Sequence, residues 1–261
     1  MRQETARITV TGVTEAERIE KDEILAREHG LTIIINGQEL TTLLCSPAKL
    51  QYLALGFLLS EGIISVKDEI EKVLLDEEKR SVRIETGEPS PPDRDPVSMR
   101  YITSSGGKGI NLSSIADNAG KAKMESKTAI ALSRVYSLMR EFQNRSEVFR
   151  ETGGVHSAAL SDGEEIILFT EDIGRHNAID KIIGECLWES IQMRDRIMLT
   201  SGRVSSEIAS KVARQGIPIL ISRSAPTDMA VRNAGEMGLT LVGFVRGQRM
   251  NIYASDWRII D

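Results

Sequence analysis

The chain has 261 residues, of which 41% are hydrophobic, enough to bury a core in one large or two modest domains. Its net charge of -5 argues against a nucleic-acid-binding protein, which needs a strongly basic face. No stretch approaches the about 18 apolar residues of a membrane helix, and no apolar signal segment follows the N-terminal Met. We therefore expect a cytoplasmic protein without a membrane segment, whose two cysteines, Cys45 and Cys186, are free thiols.

The first part of the chain predicts a small α+β domain over residues 1–98. An apolar strand at residues 31–36 ends in Asn36-Gly37, a favoured two-residue turn, and its partner strand returns to Cys45. Apolar side chains then recur at helical spacing over residues 47–60. A strand at residues 81–85 precedes a linker that is rich in proline. Residues 99–127 are interpreted as a functional loop and a connection.

Residues 128–261 alternate predicted strands and helices, as expected of an α/β domain whose sheet is covered on both faces. Asp172 is expected to cap one of these helices, and Cys186 falls on the buried face of that helix. The predicted strands are 165–169, 196–200, 217–222 and 239–245, and the predicted helices are 128–143, a segment after Asp172, 206–215 and 227–237.

Small residues mixed with arginine follow several of these strands. Glycine lets a phosphate approach the backbone, hydroxyl groups donate to its oxygens, and guanidinium groups pair with it bidentately. The pattern therefore favours a nucleotide diphosphate above the sheet, although each loop alone is also ordinary turn chemistry with a solvated arginine. The candidate ligand-binding residues in these loops are Arg175, His176, Ser201, Gly202, Arg203, Ser222 and Arg223.

Two of the three histidines lie in informative positions. His156 follows a Gly-Gly pair and is either a phosphate donor or proton shuttle, or a hydrogen-bonded structural residue. His176 falls in the first turn of a predicted helix, where we favour ligand contact. His29 is expected at the surface.

Four stretches in this order resemble the formate dehydrogenase accessory protein family, FdhD. Each is ordinary alone, but the ordered set is specific. The stretches are LALGFLLSEGII at 53–64, TGGVHSAA at 152–159, EDIGRHNAIDK at 171–181 and LTLVGFVR at 239–246.

The resemblance implies a cytidine deaminase-like three-layer α/β domain with a smaller α+β N-terminal domain. It also implies a homodimer that receives sulfur from a cysteine desulfurase and passes it to the molybdenum guanine dinucleotide cofactor of formate dehydrogenase, with GDP as a cofactor analogue. The segment matched to cofactor binding is Phe244, Val245, Arg246, Gly247, Gln248 and Arg249.

The family's Cys-x-x-Cys is missing from this chain. Its positions fall on Ser105 and Lys108, and neither a hydroxyl nor an amine can carry a persulfide sulfur. Three explanations stay open: cofactor binding persists without sulfur transfer, another thiol carries the sulfur, or the two positions were altered from cysteine. Cys45 is the one plausible substitute, but a small buried residue is the favoured interpretation there.

The sequence bears on two further classes of function. A zinc hydrolase is opposed by the absence of a closely spaced cysteine pair, so we expect no metal site. The alternative function is a chaperone or interaction protein that binds the cofactor or formate dehydrogenase without sulfurtransferase chemistry of its own. Whether the chain is an enzyme therefore depends on whether one of its thiols ever carries a persulfide.

Overall fold

The computed structural model describes residues 2–87 and 124–261, and every structural statement below concerns these two ranges. The predicted linker after Gly87, together with Ser105 and Lys108, lies outside them.

The described chain opens with a long antiparallel hairpin that the sequence analysis does not predict. Strand β1 (Thr5–Val13) pairs with β2 (Arg18–Ala26), and β2 contacts the short helix Glu147–Thr152. The middle of β2 reads Glu-Lys-Asp-Glu, so charged side chains occupy both of its faces and hide the alternation that normally reveals a strand.

A four-stranded sheet follows, in the order β4-β3-β6-β5. The Asn36-Gly37 turn between β3 and β4 is confirmed, since both residues have the positive φ, 48° and 79°, that a tight hairpin of this kind requires. Helix α1 packs its apolar side chains on this sheet. Strand β5, at the edge of the sheet, was not predicted. The elements are β3 (His29–Ile35), β4 (Gln38–Cys45), α1 (Leu50–Ser60), a 3-10 turn (Lys67–Glu69), β5 (Ile70–Asp76) and β6 (Ser81–Thr86).

The larger unit is built on a six-stranded sheet of order β13-β12-β11-β10-β8-β9. The neighbours β10, β11 and β12 run parallel, and the three remaining strands run antiparallel to their neighbours. The carboxyl ends of β10 to β12 and the start of β8 therefore lie at one edge of the sheet. The strands are β8 (His156–Ser161), β9 (Ile166–Asp172), β10 (Ile197–Thr200), β11 (Ile219–Ser222), β12 (Thr240–Arg246) and β13 (Arg249–Ala254).

Helices cover both faces of this sheet, so the expected three-layer α/β architecture is confirmed. Helices α4 to α6 bury Ile182, Ile208 and Ala234 on one face, and α2 buries Val135 and Phe142 on the other. The remaining elements are β7 (Ile130–Ala131), α2 (Leu132–Arg145), α3 (Glu147–Thr152), α4 (Arg175–Trp188), α5 (Ser206–Arg214), α6 (Asp228–Met237), a 3-10 turn (Asp256–Arg258) and β14 (Ile259–Ile260), which pairs with β7.

The smaller sheet is joined to the larger one where α1 crosses α4. The backbones meet at two glycines: a Cβ atom on Gly56 would lie 1.8 Å from the carbonyl oxygen of Asp180, and one on Gly184 would lie 1.9 Å from that of Tyr52. Any side chain at either position would prevent this approach.

The expectation that Asp172 caps α4 is wrong. The helix begins at Arg175 after Gly174, which provides no side-chain cap. Asp172 is instead fully buried, where it pairs with Lys181 at 2.6 Å and accepts a hydrogen bond from the backbone N–H of Ser46 at 3.0 Å. The carboxylate also accepts a hydrogen bond from the backbone N–H of Gly174 at 2.8 Å, in the turn before the helix. Its contact with Ser46 is distant in sequence, and a local capping pattern cannot anticipate it.

Both cysteines are buried free thiols, as expected. Burial raises the pKa of Cys45 and of Cys186 to about 12 in each case. Neither is a nucleophilic thiolate near neutral pH.

Candidate anion-binding site

The predicted ligand-binding residues come together at the edge where β10, β11 and β12 end. Ser201, Gly202 and Arg203 follow β10, and Arg223 follows Ser222, the last residue of β11. His156 starts the neighbouring antiparallel strand β8. Arg175 and His176 form the first turn of α4. We call this group the strand-end cluster.

Hydrogen bonds among these residues fix the loops. The hydroxyl of Ser201 accepts from the backbone N–H of Ser157 at 2.9 Å and lies 3.4 Å from Nδ1 of His156. The hydroxyl of Ser222 donates to the carbonyl of Gly202 at 2.8 Å. Ser222 is fully buried, so it supports the loop after β10 from below and does not face solvent.

Gly202 lies under two side chains of the cluster. A Cβ atom at this position would come within 2.9 Å of Cβ of Arg175 and 3.5 Å of Nδ1 of His156. The absence of a side chain on Gly202 therefore lets Arg175 and His156 lie against the loop backbone.

The cluster contains three arginines, and the nearby carboxylate of Glu207 opposes the charge of one of them, Arg175. Arg175, Arg203 and Arg223 form no ion pair within the described ranges, although the whole chain has a net charge of -5. Nε of Arg175 is buried and has no hydrogen-bond partner among those residues. Burial, and then the nearby charge of Arg203, lowers the pKa of Arg175. Such an arrangement is suited to receiving an anion.

The two histidines of the cluster have different surroundings. Burial, followed by the charge of Arg175, lowers the pKa of His156, so its imidazole is neutral near pH 7 and can donate or accept a hydrogen bond. Nε2 of His176 lies 3.3 Å from a carboxylate oxygen of Glu207. Contact with His176 in turn lowers the pKa of Glu207. His176 is thus oriented by α5, while His156 is oriented by the loop after β10.

A groove of about 170 Å³ opens beside this cluster, and we call it the strand-end groove. Ser201 and Arg223 form its sheet side. The other side comes from α2 and α3, which the sequence analysis did not associate with the site. Its lining from those helices is Phe142, Gln143, Ser146, Phe149 and Arg150.

A second groove of about 450 Å³ lies between α2 and the turn that joins β12 to β13, and we call it the turn groove. Gln143 lines both grooves, which are therefore adjacent. The periodicity of α2 predicted a helix, but polar side chains on a helix surface resemble an ordinary solvated face. No sequence signal distinguished them as groove residues. The lining includes Tyr136, Arg140, Asn144, Gly247 and Gln248.

The segment 244–249 forms the end of β12, the turn and the start of β13. Phe244 has a φ of 54° at a β-bulge, and its exposed ring lies 5.6 Å from the guanidinium carbon of Arg246. Val245 is buried in the core. Gly247, with a φ of 60°, makes the turn, and Gln248 and Arg249 are exposed beside it. Five of the six predicted residues are therefore accessible to a ligand.

The described ranges contain neither a cluster of metal ligands nor a helix that could span a membrane. No group of three or more His, Cys, Asp or Glu side chains there could hold a metal ion. Within the same ranges, no helix has the length and apolar content needed to cross a membrane.

Comparison with known proteins identifies the family. The sequence model of the FdhD/NarQ family matches residues 26–260. The chain belongs to the FdhD/NarQ family. The resemblance inferred from the four sequence stretches is confirmed. The FdhD/NarQ match begins at the end of β2 and covers the four-stranded and the six-stranded sheets.

Individual relatives of this FdhD/NarQ chain are similar over nearly their whole length. The sulfur carrier protein FdhD of Bacillus subtilis (strain 168) is 39% identical over 256 residues, covering 96% of this chain and 98% of the relative. The protein of the same name from Staphylococcus aureus (strain MRSA252) is 40% identical over 234 residues, with 90% and 88% covered. The fold also matches a crystal structure described as a formate dehydrogenase accessory protein from Desulfotalea psychrophila. The TM-score is 0.82, the identity is 24%, and the match covers 98% of this chain and 99% of the other.

Proposed function

We propose that this chain binds the molybdenum guanine dinucleotide cofactor at the strand-end cluster and segment 244–249, and supports its sulfuration during maturation of a formate dehydrogenase. The observation that carries the proposal is the set of arginines at the carboxyl edge of three parallel strands that have no ion pair with any residue in 2–87 or 124–261. Open α/β sheets bind ligands at this edge. The curated relatives named sulfur carrier proteins support the assignment to this pathway.

The described residues fit the anionic part of such a cofactor. Arg175 offers a buried Nε with no partner among them, and Arg203 and Arg223 present exposed guanidinium groups. The neutral imidazole of His156 adds a hydrogen-bonding group without further charge. When bound, the cofactor supplies the molybdenum centre that accepts sulfur, while the chain's own residues bind and orient its phosphates. Formate dehydrogenase, a cysteine desulfurase and a second copy of the chain are the proposed partners.

The experiment that tests the proposal is a calorimetric titration of the purified chain with GDP, with ADP as the comparison ligand. GDP carries the guanine and diphosphate groups of the cofactor without its metal. Selective GDP binding is expected. Failure to bind either nucleotide would reject cofactor binding and leave the family relationship as one of fold.

Replacing Arg249 with alanine is expected to weaken GDP binding by about 1.5 to 3 kcal/mol, because a charge-assisted hydrogen bond to the ligand would be lost. Arg249 is exposed at the start of β13 and has no ion pair in the described ranges, so the substitution should leave folding intact. Titration of the variant measures the change. The matched control is Arg18→Ala, an exposed arginine on the N-terminal hairpin. If the two variants bound GDP with equal affinity, Arg249 would not contact the ligand.

A second candidate function is a cofactor-binding chaperone or interaction protein without sulfur transfer. The specific observation in its favour is that the two native thiols are buried with pKa values of about 12, while Ser105 and Lys108 occupy the positions of the family's cysteine pair. A thiolate is required to attack a persulfide and carry its outer sulfur. In this case the chain would deliver the cofactor or hold apo formate dehydrogenase, and the sulfur would be supplied elsewhere.

The double substitution Ser105→Cys and Lys108→Cys tests whether the loop can still receive sulfur once its two thiols are restored. A restored thiolate would attack the outer sulfur of a desulfurase persulfide, and the desulfurase thiolate would leave, adding one sulfur atom of about 32 Da to this chain. Mass spectrometry of the intact protein under non-reducing conditions detects the increment. The control, Ser105→Ala with Lys108→Ala, should show none. If the cysteine variant also gains no mass, the geometry of the loop no longer permits sulfur transfer even with two thiols present, and the chaperone function is favoured.

A further inference from the structure

Helix α2 forms one wall of the turn groove, opposite the segment matched to cofactor binding. Tyr136, Arg140 and Asn144 face this groove from the helix, while Gly247 and Gln248 bound it from the β12–β13 turn. The family resemblance gave no role to α2. The groove is nevertheless incomplete without it.

We propose that the turn groove receives the guanine base of the nucleotide and that Arg140 determines guanine selectivity, while the strand-end groove receives the phosphates. This inference rests on the proposed function and divides its ligand between the two grooves. The two grooves differ in both size and chemistry.

The turn groove has the size and lining of a base pocket. Its volume of about 450 Å³ lies within the range of about 300 to 1,000 Å³ that small-molecule sites occupy. The side chains of Tyr136, Asn144 and Gln248 offer one aromatic ring and two amides, groups that stack on a base and bond to its edge. The strand-end groove is smaller, about 170 Å³, and presents Ser201 and Arg223, which suit phosphate oxygens.

Among the residues that the structure describes, Arg140 is the one charged side chain in the lining of the turn groove. It is exposed, and within the described ranges it forms no ion pair, whereas Arg145 on the same helix is paired with Glu141 at 2.7 Å. A guanidinium group donates two parallel hydrogen bonds to O6 and N7 of guanine. Adenine has an amino group in place of O6, so the N–H groups of the same arginine would face another hydrogen-bond donor and could not bond to it. Arg140 therefore favours guanine over adenine.

Gln143 lies at the junction of the two grooves. Its side-chain nitrogen donates to the carbonyl of Met139 at 3.2 Å, one helical turn earlier. The amide oxygen has no hydrogen-bond partner within the described ranges and is free to accept from a ligand. A nucleotide that extends from the base pocket to the phosphates would pass this group.

The test compares GDP, ADP and pyrophosphate by calorimetry on the full chain and on four variants. Arg140→Ala is expected to lose about 5- to 150-fold in GDP affinity, the range of one bidentate contact to a base, with little change for pyrophosphate. Arg140→Lys keeps the charge but not the planar fork, and it should also lose selectivity for GDP over ADP. Arg223→Ala should weaken GDP and pyrophosphate together. Arg145→Ala, the matched control on α2, should behave as the wild type.

The outcomes separate the two levels of the proposal. If the wild type binds GDP selectively and both Arg140 variants retain that selectivity, the base is elsewhere and this inference is overturned, while cofactor binding stands. If Arg140→Ala weakens pyrophosphate as strongly as GDP, Arg140 binds phosphate and the division between grooves is wrong. If the wild type binds neither nucleotide, the proposed function fails and the inference fails with it. Thermal unfolding of each variant shows that its fold is intact.

Discussion

Replacing Asp172 with alanine is expected to reduce the free energy of unfolding by about 3 to 5 kcal/mol, the usual cost of removing one partner of a buried ion pair. The side chains of Asp172 and Lys181 are both fully buried, and Oδ2 of Asp172 lies 2.6 Å from Nζ of Lys181. Without the carboxylate, the ammonium group of Lys181 keeps the carbonyl of Ser46 at 3.1 Å but has no compensating charge in the described ranges. The backbone N–H of Ser46 loses its acceptor as well. Urea denaturation followed by circular dichroism measures the change.

Two controls make this expectation specific to the buried pair. Arg232→Ala breaks the exposed pair with Asp228, where both side chains are about four-fifths exposed, and should change stability by at most about 1 kcal/mol. The double variant Asp172→Asn with Lys181→Met keeps an acceptor for the backbone and removes the stranded charge, so it should be more stable than Asp172→Ala. If Asp172→Ala reduced the free energy of unfolding by less than about 1 kcal/mol, water would have to reach Lys181, and the ion pair would not be excluded from solvent.

The second large effect is expected at the crossing of α1 and α4, where Gly56→Ala should destabilise the protein by about 3 kcal/mol or more. The new methyl group would lie 1.8 Å from the carbonyl oxygen of Asp180, a backbone atom that no rotamer change can move away. The two helices would have to separate to accommodate the methyl group. We expect this to cost more free energy than ordinary overpacking of a core, which costs about 1 to 3 kcal/mol. The midpoint of urea unfolding reports the loss.

Gly235→Ala is the matched control for this substitution. Gly235 also lies within a helix, α6, but among the described residues nothing lies within 4 Å of a Cβ atom placed there. Alanine is favoured over glycine in a helix by up to about 1 kcal/mol, so this variant should be neutral or slightly stabilised. The same helical preference applies at Gly56, and the difference between the two variants therefore isolates the steric effect. Equal stabilities would mean that α1 and α4 do not meet as closely as the structure has them.

The fold was largely predictable because most of its elements carry a local signal. The turn at Asn36-Gly37 follows from the conformational preferences of two adjacent residues, and α4 follows from the regular spacing of Ile179, Ile182 and Ile183. Strand β2 was missed since its charged run obscures any alternation. The role of Gly56 was also missed, because a single glycine in a helical pattern does not reveal the backbone that it contacts.

The residues of the candidate site that lie at strand ends were predictable from the sequence. Those that are placed by the packing of a helix on the sheet were not. Parallel strands bring their carboxyl ends to one edge, so the convergence of Ser201, Gly202 and Arg223 followed from the order of elements. The contribution of Arg140 depends on which face of α2 borders the β12–β13 turn, and this is fixed only when the helix packs on the sheet. The hydrogen bond from the backbone N–H of Ser46 to Asp172 likewise joins segments from two different sheets, so no local pattern predicts it.

The burial of both native thiols makes the folded chain a convenient host for site-directed labelling. Because Cys45 and Cys186 are buried, we expect alkylating reagents not to reach them in the native state, and their high pKa values keep them protonated near neutral pH. A fluorophore or spin label attached to a newly introduced surface cysteine would therefore report from that position alone, without prior removal of the native pair. Distances between labels on α2 and on the β12–β13 turn could then be followed in solution as nucleotide is added.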